Sequence, residues 1–222
     1  MSYQIAIDGP AGAGKSTIAK AVSKELSFVY VDTGAMYRAM ALLCIRLGLD
    51  GKDEEKVVSA CEGASVEIKY KDGAQVVFLN GEDVNGFIRT QEVGDMASAV
   101  SVYKGVREKL VKLQQELAAK ENVVMDGRDI ASCVLPNADL KIYLDADVNI
   151  RAKRRYDELI AKGQPANLEK IVEEVKERDY RDMHRDNSPL VRVPEAILVD
   201  SSHMSIEEVK DAIINEFNNV RK

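Results

Sequence analysis

The sequence is poor in residues that bind metals or form disulfides. Two histidines, His184 and His203, cannot build a histidine-rich zinc site. Three cysteines, Cys44, Cys61 and Cys133, form no C-x-x-C pair and leave an odd count, which argues against a disulfide framework and fits a reducing compartment. No apolar run approaches the ~20 residues of a membrane span, and the apolar stretch AMALLCI is fenced by Arg38 and Arg46. No secretory leader is expected, because Asp8 arrives after only a few apolar positions. Positive charge is also in deficit: 31 Lys+Arg against 37 Asp+Glu gives a net charge of −6. That balance argues against general nucleic-acid or membrane binding, although a local basic cluster can still hold phosphates. What remains is ordinary folding composition, 45% hydrophobic and 31% charged over 222 residues. A chain of this length hides roughly 70% of its unfolded surface and forms one α/β domain, or one core with inserted lobes. The expectation is a cytoplasmic, single-chain globule, with a monomer as the default.

The pattern along the chain is that of alternating strands and helices. Tyr3–Ile7 reads as a buried strand, Gly9–Gly14 as a glycine-rich turn and Thr17–Leu26 as a helix, together the first half of a βαβ unit. Phe28–Val31 is a second strand and Tyr37–Leu47 a helix stopped near Gly48. Val66–Tyr70 and Val76–Leu79 then alternate like antiparallel strands around a hairpin signal, Lys71-Asp72-Gly73, and Asn80-Gly81 is a further turn. Val102–Ala119 reads as a long helix. Val123–Met125, Leu140–Leu144 and Ile197–Val199 read as further core strands, and Ser205–Val220 as a terminal amphipathic helix. The stretch from Asn149 to His184 is charged and helical, interrupted at Gly163-Gln164-Pro165. Residues 151–192 carry eleven Lys+Arg and nine Asp+Glu, net +2 inside an acidic chain. The fold class predicted is α/β, a parallel core with two inserted lobes.

The most specific motif is Gly9-Pro10-Ala11-Gly12-Ala13-Gly14-Lys15-Ser16, which satisfies G-x-x-x-x-G-K-[ST] between a strand and a helix. Glycines let consecutive backbone N–H groups turn inward around phosphate oxygens, and the helix that follows adds its positive end. Lys15 can reach the β- and γ-phosphates, and the Ser16 hydroxyl can ligate Mg²⁺. A turn that merely joins strand to helix would not need every fixed position, so the motif points to a nucleoside triphosphate.

Two common users of such a loop lack support. No Asn-Lys-x-Asp base reader of a guanine-nucleotide switch is present, and the strands ending VVMDGRD and IYLDAD lack the Asp-Glu pair of a motor ATPase. Arginines are present instead. Arg178, Arg181, Asp182 and Arg185 fall at i, i+3, i+4 and i+7, on one helix face, and Arg151, Arg154 and Arg155 repeat the arrangement one helix earlier. Planar, permanently charged guanidinium groups suit a reaction in which the protein positions phosphates and neutralises their charge. A solvated face laced with Glu174, Glu177 and Asp179 is the competing reading of the same spacing. A charged, glycine-hinged helical lobe also suits a lid that excludes water.

Taken in order, IDGPAGAGKST, DTGAMYR, IRTQEV, VREKL, DGRDIASCVLPNADLKIYLDA and KERDYRD resemble bacterial cytidylate kinase, within the nucleoside monophosphate kinases. The resemblance runs from about Ile5 to Asp200. It implies ATP:CMP phosphotransfer acting on CMP and dCMP with Mg²⁺. It implies a P-loop parallel-sheet core with helices on both faces (about 1–36, 104–148 and 187–222), a nucleoside-monophosphate lobe holding a small antiparallel sheet (about 37–103), and a helical lid (about 149–186).

By the same resemblance, Gly9 to Thr17 bind ATP. Arg38 and Arg128 match arginines that hold the acceptor phosphate, with Thr33 supplying a hydroxyl where many relatives have Ser. Ser98, Arg107 and Asp129 match the group that reads the cytosine edge; an Asp accepts from the N4 amino group, while Arg or Ser donates to O2 or N3. Arg178, Asp182 and Arg185 match positions around the sugar and phosphates, and Arg154 and Arg181 match lid arginines on the ATP side. Lys15, Arg128, Arg178, Arg181 and Arg154 are thus the expected catalytic charges. Asp126 is expected to hold a Mg²⁺ water, with Asp8 the competing choice. Cys133, within a stretch that departs from the family's usual DGRDIGTVVFPDA, is expected to be a buried apolar residue rather than a nucleophile. The rivals are a kinase of another small acceptor and a nucleotide-responsive binding module without catalysis.

Overall fold

The computed structural model describes residues 2–71 and 73–221, so Asp72 of the expected hairpin turn lies outside the described residues. The chain divides into two compact units, one formed by residues up to Val29 and from Glu121 onward, the other by Tyr30–Lys120.

The first unit is built on parallel strands β1 (Gln4–Asp8), β6 (Val123–Gly127), β7 (Leu140–Asp145) and β8 (Ile197–Asp200); β2 (Val29–Asp32) completes a five-stranded sheet in the order β2-β6-β1-β7-β8. Ile5, Ile7, Val123, Met125, Ile142 and Leu144 are fully buried. Apolar residues run almost without alternation in β1 and β6 because both faces of a parallel sheet are covered. Helix α1 (Lys15–Leu26) and the terminal helix α8 (Ile206–Val220) pack together, pinned where the Phe217 ring meets Tyr3 and Phe28 edge-on, each at 5.4 Å. Ser205 caps α8 in a reciprocal capping box with Glu208, as its position before the apolar run predicts. The charged segment forms α6 (Val148–Ala161) and α7 (Leu168–His184), packed on each other through Ala152, Ile171 and Val175.

In the second unit, β3 (Val66–Lys71), β4 (Ala74–Leu79) and the two-residue β5 (Glu82–Asp83) form the small antiparallel sheet. Around it lie α2 (Thr33–Arg46), α3 (Glu54–Gly63), α4 (Gln91–Val100) and α5 (Lys104–Ala118), sharing a core that includes Met36, Met40, Ile88, Val93, Val106 and Leu110.

Several boundaries differ from the sequence reading. The long helix expected from Val102 begins at Lys104, because α4 has ended at Val100 and Tyr103 turns to donate its hydroxyl to Gly51 O at 2.7 Å. Helices α3 and α4 were not anticipated, although Asp53 and Thr90 are good N-cap residues that accept from the backbone N–H of Lys56 and Val93. Cys133 is half-buried rather than buried, in a one-turn π-helix over Ile130–Val134.

Candidate active site

The glycine motif forms the turn between β1 and α1. Gly9 sits at φ 148°, and a Cβ there would lie 1.9 Å from the Leu144 carbonyl oxygen, so only glycine fits against the neighbouring strand. Gly14 caps α1 in the left-handed region at φ 89°, without a side-chain cap, which leaves the first N–H groups of the helix facing the loop. Lys15 is buried and donates from Nζ to Pro10 O at 2.6 Å. Burial, and then the nearby Arg128 charge, hold the Lys15 ammonium well below its usual range; Asp126, Asp182 and Asp8 act in the opposite direction. The Lys15 head group thus stands among both signs of charge.

Strand register decides which carboxylates meet the loop. Ile7 pairs with Asp126, and Asp8 with both Gly127 and Tyr143, so two acidic residues stand at the carboxyl ends of adjacent parallel strands. Their roles differ. Both Asp8 oxygens accept from backbone N–H groups, those of Ile130 and Ala131, at 2.8 Å each. Burial pushes the Asp8 carboxyl up to about 6 against those two hydrogen bonds. Asp8 therefore anchors the loop that carries Arg128 and Asp129. Asp126 instead accepts the Ser16 hydroxyl at 2.8 Å.

Ser16 and Asp126 are hard oxygen donors side by side, which fits Mg²⁺ bound through a hydroxyl, a carboxylate, waters and substrate phosphates. Among the described residues no group of three His, Cys, Asp or Glu is placed to hold a metal ion by itself.

Two arginines pair with carboxylates beside the loop. Arg128 Nε donates to Asp182 Oδ2 at 2.8 Å, and Arg185 Nη2 lies 3.6 Å from Asp129 Oδ1. Arg185 is further gripped through Nε by Ser188 O at 2.8 Å, with Ser188 itself in the left-handed region at φ 50°. Burial opposes both charges of the Arg128–Asp182 pair, yet their mutual attraction prevails: Arg128 titrates above, and Asp182 below, its ordinary value. Arg178 is half-buried on α7, and its charge also lowers Asp182. Arg181, by contrast, is exposed and 4.0 Å from Glu177, the solvated arrangement that the spacing also allowed. Arg154 Nη2 donates to Ser201 O at 2.7 Å and Nη1 to Ala13 O at 3.5 Å, placing it behind the phosphate loop.

A family model described as cytidylate kinase matches residues 5–219. The chain belongs to the cytidylate kinase family. It is 49% identical over 218 residues to a cytidylate kinase of Caldicellulosiruptor bescii, covering 98% of this chain and 96% of that protein. It is 48% identical over 211 residues to a cytidylate kinase of Bacillus subtilis, covering 95% and 94%. Among solved structures, a gluconokinase of Sinorhizobium meliloti aligns at a TM-score of 0.52 with 11% identity over 98% of this chain and 93% of that one. A shikimate kinase of Bacteroides thetaiotaomicron aligns at 0.51 with 13% identity over 97% and 98%. These structures share the fold alone.

The site residues that the resemblance to cytidylate kinase assigns to ATP, metal and acceptor are divided by unit. Lys15, Ser16, Asp126, Arg128, Asp129, Asp182 and Arg185 are brought together in the first. In the second, Thr33 is the buried first residue of α2, and half-buried Arg38 folds back so that a Cβ on Gly34 would lie 3.8 Å from its Nη1. Ser98 is half-buried on α4, and buried Arg107 donates to Ser101 O at 3.2 Å while lying over the Tyr37 ring at 5.7 Å. Sequence reasoning missed the anchoring role of Asp8, for which its place directly before Gly9 was the available signal. It also missed Arg89, whose Nη2 donates to Asp32 Oδ2 at 2.7 Å; Arg89 stood inside IRTQEV without a role.

Proposed function

We propose that this chain transfers the γ-phosphoryl group of ATP to the 5′-phosphate of CMP or dCMP, giving CDP or dCDP and ADP. Phosphorylation of CMP with ATP is the activity of the family to which the chain belongs, within pyrimidine nucleotide metabolism. The observation that carries the reading at residue level is the joining of the phosphate loop to the Asp126, Arg128–Asp182 and Asp129–Arg185 cluster.

The chemistry asks for positioning and charge neutralisation rather than a base. The acceptor phosphate is already an anion at neutral pH, so its oxygen attacks the γ-phosphorus while the bond to the β-phosphate bridging oxygen breaks and ADP leaves. Two anions must be brought together, and fixed cations reduce that repulsion. Loop residues Gly9 to Thr17 hold the ATP phosphates, with Lys15 turning from Pro10 O toward the β- and γ-oxygens. Thr33, Arg38 and Arg128 hold the acceptor phosphate. Ser98, Arg107 and Asp129 read the cytosine edge, and Asp182, Arg185 and Arg178 serve the sugar and the transferring phosphate. Arg154 and Arg181 remain the assigned ATP-side charges.

Mg²⁺ bound with ATP supplies charge neutralisation on the phosphate oxygens. Ser16 and Asp126 are the residues that would hold it, Asp126 through water. Small-molecule substrates, a cytoplasmic monomer, and a core, acceptor lobe and lid at the boundaries given above complete the proposal.

Coupled ADP release tests it, with Mg²⁺-ATP and, separately, CMP, dCMP, UMP, AMP, GMP and no acceptor. Turnover with CMP and dCMP alone supports the reading. Turnover with a purine nucleotide keeps the kinase and removes the base-reading assignments. No acceptor-dependent ADP with any of these nucleotides leaves only the phosphate loop standing and favours the binding module. Asp129→Ala is expected to harm CMP use more than ATP binding; equal loss of both removes Asp129 as the base reader.

A further inference from the structure

One buried arginine joins the phosphate loop to the two charged helices. Arg151, 5% exposed, directs its guanidinium to three partners. Its Nε donates to Ala146 O at 2.8 Å, and its Nη1 donates to Ala11 O at 2.9 Å and pairs with Asp179 Oδ2 at 2.7 Å. The backbone of Gly12 backs onto the same side chain, where a Cβ would lie 3.1 Å from Arg151 Cβ.

These contacts answer a need created by the loop itself. A nest binds an anion only when its N–H groups face inward, which turns carbonyl oxygens to the outside, where they still require donors. Lys15 supplies Pro10 O and Arg151 supplies Ala11 O. Asp179 stands on α7 three residues before Asp182, the partner of Arg128, and so on nearly the same face of that helix. The grip on Asp179 therefore ties α7 to the loop, while Asp182 keeps its own anchor in Arg128.

We propose that Arg151 and Asp179 are a positioning pair that holds the phosphate loop in its anion-binding shape and ties α7 to it. ATP affinity then depends on two residues placed behind the loop rather than inside it. The inference rests on ATP as the ligand of this loop. A buried ion pair that served folding alone would lower thermal stability and weaken both substrates alike, so the separation of the substrates decides. Lysine at 151 keeps the charge but offers one head group where a planar fork meets three oxygens. Asparagine at 179 keeps the shape and removes the charge.

The test compares Arg151→Lys, Asp179→Asn and the double variant by calorimetric ATP titration, KM for CMP and thermal melting. Each single variant is expected to weaken ATP binding about tenfold or more, the effect of losing a buried charged hydrogen bond. KM for CMP is expected to move less than about twofold, and the double variant to bind ATP no more weakly than the poorer single variant, because the pair acts as one unit. ATP affinity within about twofold of the parent in both variants overturns the proposal, as do equal losses for ATP and CMP or losses that multiply in the double variant. If Arg151→Lys does not fold, Asp179→Asn alone decides by its ATP-against-CMP split. A parent protein that binds ATP yet ignores CMP sinks the acceptor reading and leaves this pair to be judged on ATP affinity and the double variant.

Discussion

The Ser16 hydroxyl donates to the Asp126 carboxylate at 2.8 Å, although 110 residues separate them in the chain. Parallel pairing of β1 with β6 puts Ile7 opposite Asp126, so the first turn of α1 meets the end of β6. A serine of the phosphate loop and a strand-ending aspartate become one oxygen-rich site.

Asp126→Asn keeps the volume and an acceptor for Ser16 but removes the charge that favours a divalent cation. A loss of about 10- to 100-fold in Mg²⁺ affinity or activity is expected, the usual cost of disturbing an outer ligand of a metal. Titration of Mg²⁺ at fixed ATP checks it. An unchanged Mg²⁺ requirement would move the metal assignment away from Asp126.

Two aspartates, buried Asp8 and half-buried Asp182, should impose opposite pH dependences on stability. The Asp8 carboxyl is raised from 3.8 to about 6, so between these values the folded protein keeps a proton that the unfolded chain releases. Stability falls as pH rises through that window, by about 3 kcal/mol in all, and levels off above it. Asp182 is shifted down, so its contribution is present above the ordinary carboxylate range and is lost as pH falls through the lowered value. In melting curves across acid to neutral pH, Asp8→Asn should lack the loss that the parent shows between pH 4 and 6. The advantage of the parent over Asp182→Asn should shrink below about pH 4. Parallel pH profiles for all three proteins would contradict both assignments.

Gly9→Ala is expected to be among the most damaging single-atom additions in the chain. Its Cβ would lie 1.9 Å from Leu144 O at a φ of 148°, and a backbone oxygen in a central strand cannot step aside cheaply. A cost above about 4 kcal/mol follows from strain and overpacking combined. Soluble yield and a melting curve suffice; a parent-like melting temperature would show that the loop shifts freely.

Arg89 offers a subtler experiment within the second unit. Asp32 caps α2 by accepting from Ala35 N at 2.9 Å, and Arg89 holds its other oxygen at 2.7 Å. Gln75 brackets the Asp32 backbone, accepting from its N–H at 2.8 Å and donating to its carbonyl at 3.2 Å. The arrangement fixes the turn that presents Thr33 and, five residues later on the same helix, Arg38. Because the Arg89 side chain is 55% exposed, solvent screening keeps the effect near 1 kcal/mol. Arg89→Ala should therefore raise KM for CMP about fivefold and leave ATP affinity unchanged. A loss confined to ATP would remove Arg89 from the acceptor side.

The chemistry class and much of the fold were legible in the residues themselves. The phosphate loop is local: its glycines, Lys15 and Ser16 need only a preceding strand and a following helix to act. The parallel core strands were legible because their apolar runs lack alternation, and the small sheet because β3 and β4 alternate. Helix α4 escaped although Val93, Met96, Ala97 and Val100 fall at helical spacing after the cap Thr90, because Gly94 weakens the helical signal in its first turn. Cys133 was misplaced because the π-helical turn after β6, held by Asp8, sets its exposure from outside the segment.

The sequence by itself determined the loop, the class of reaction and the arginine-rich helix face. Only the tertiary structure decided which of several similar charges have which partners. Asp8 anchors backbone while Asp126 meets Ser16, and Asp182 holds Arg128 while Arg181 faces Glu177 in solvent. The reason is range. Glycine conformation and helix periodicity act over a few residues, whereas a carboxylate's partner is set by strand register and helix packing between residues far apart in the chain.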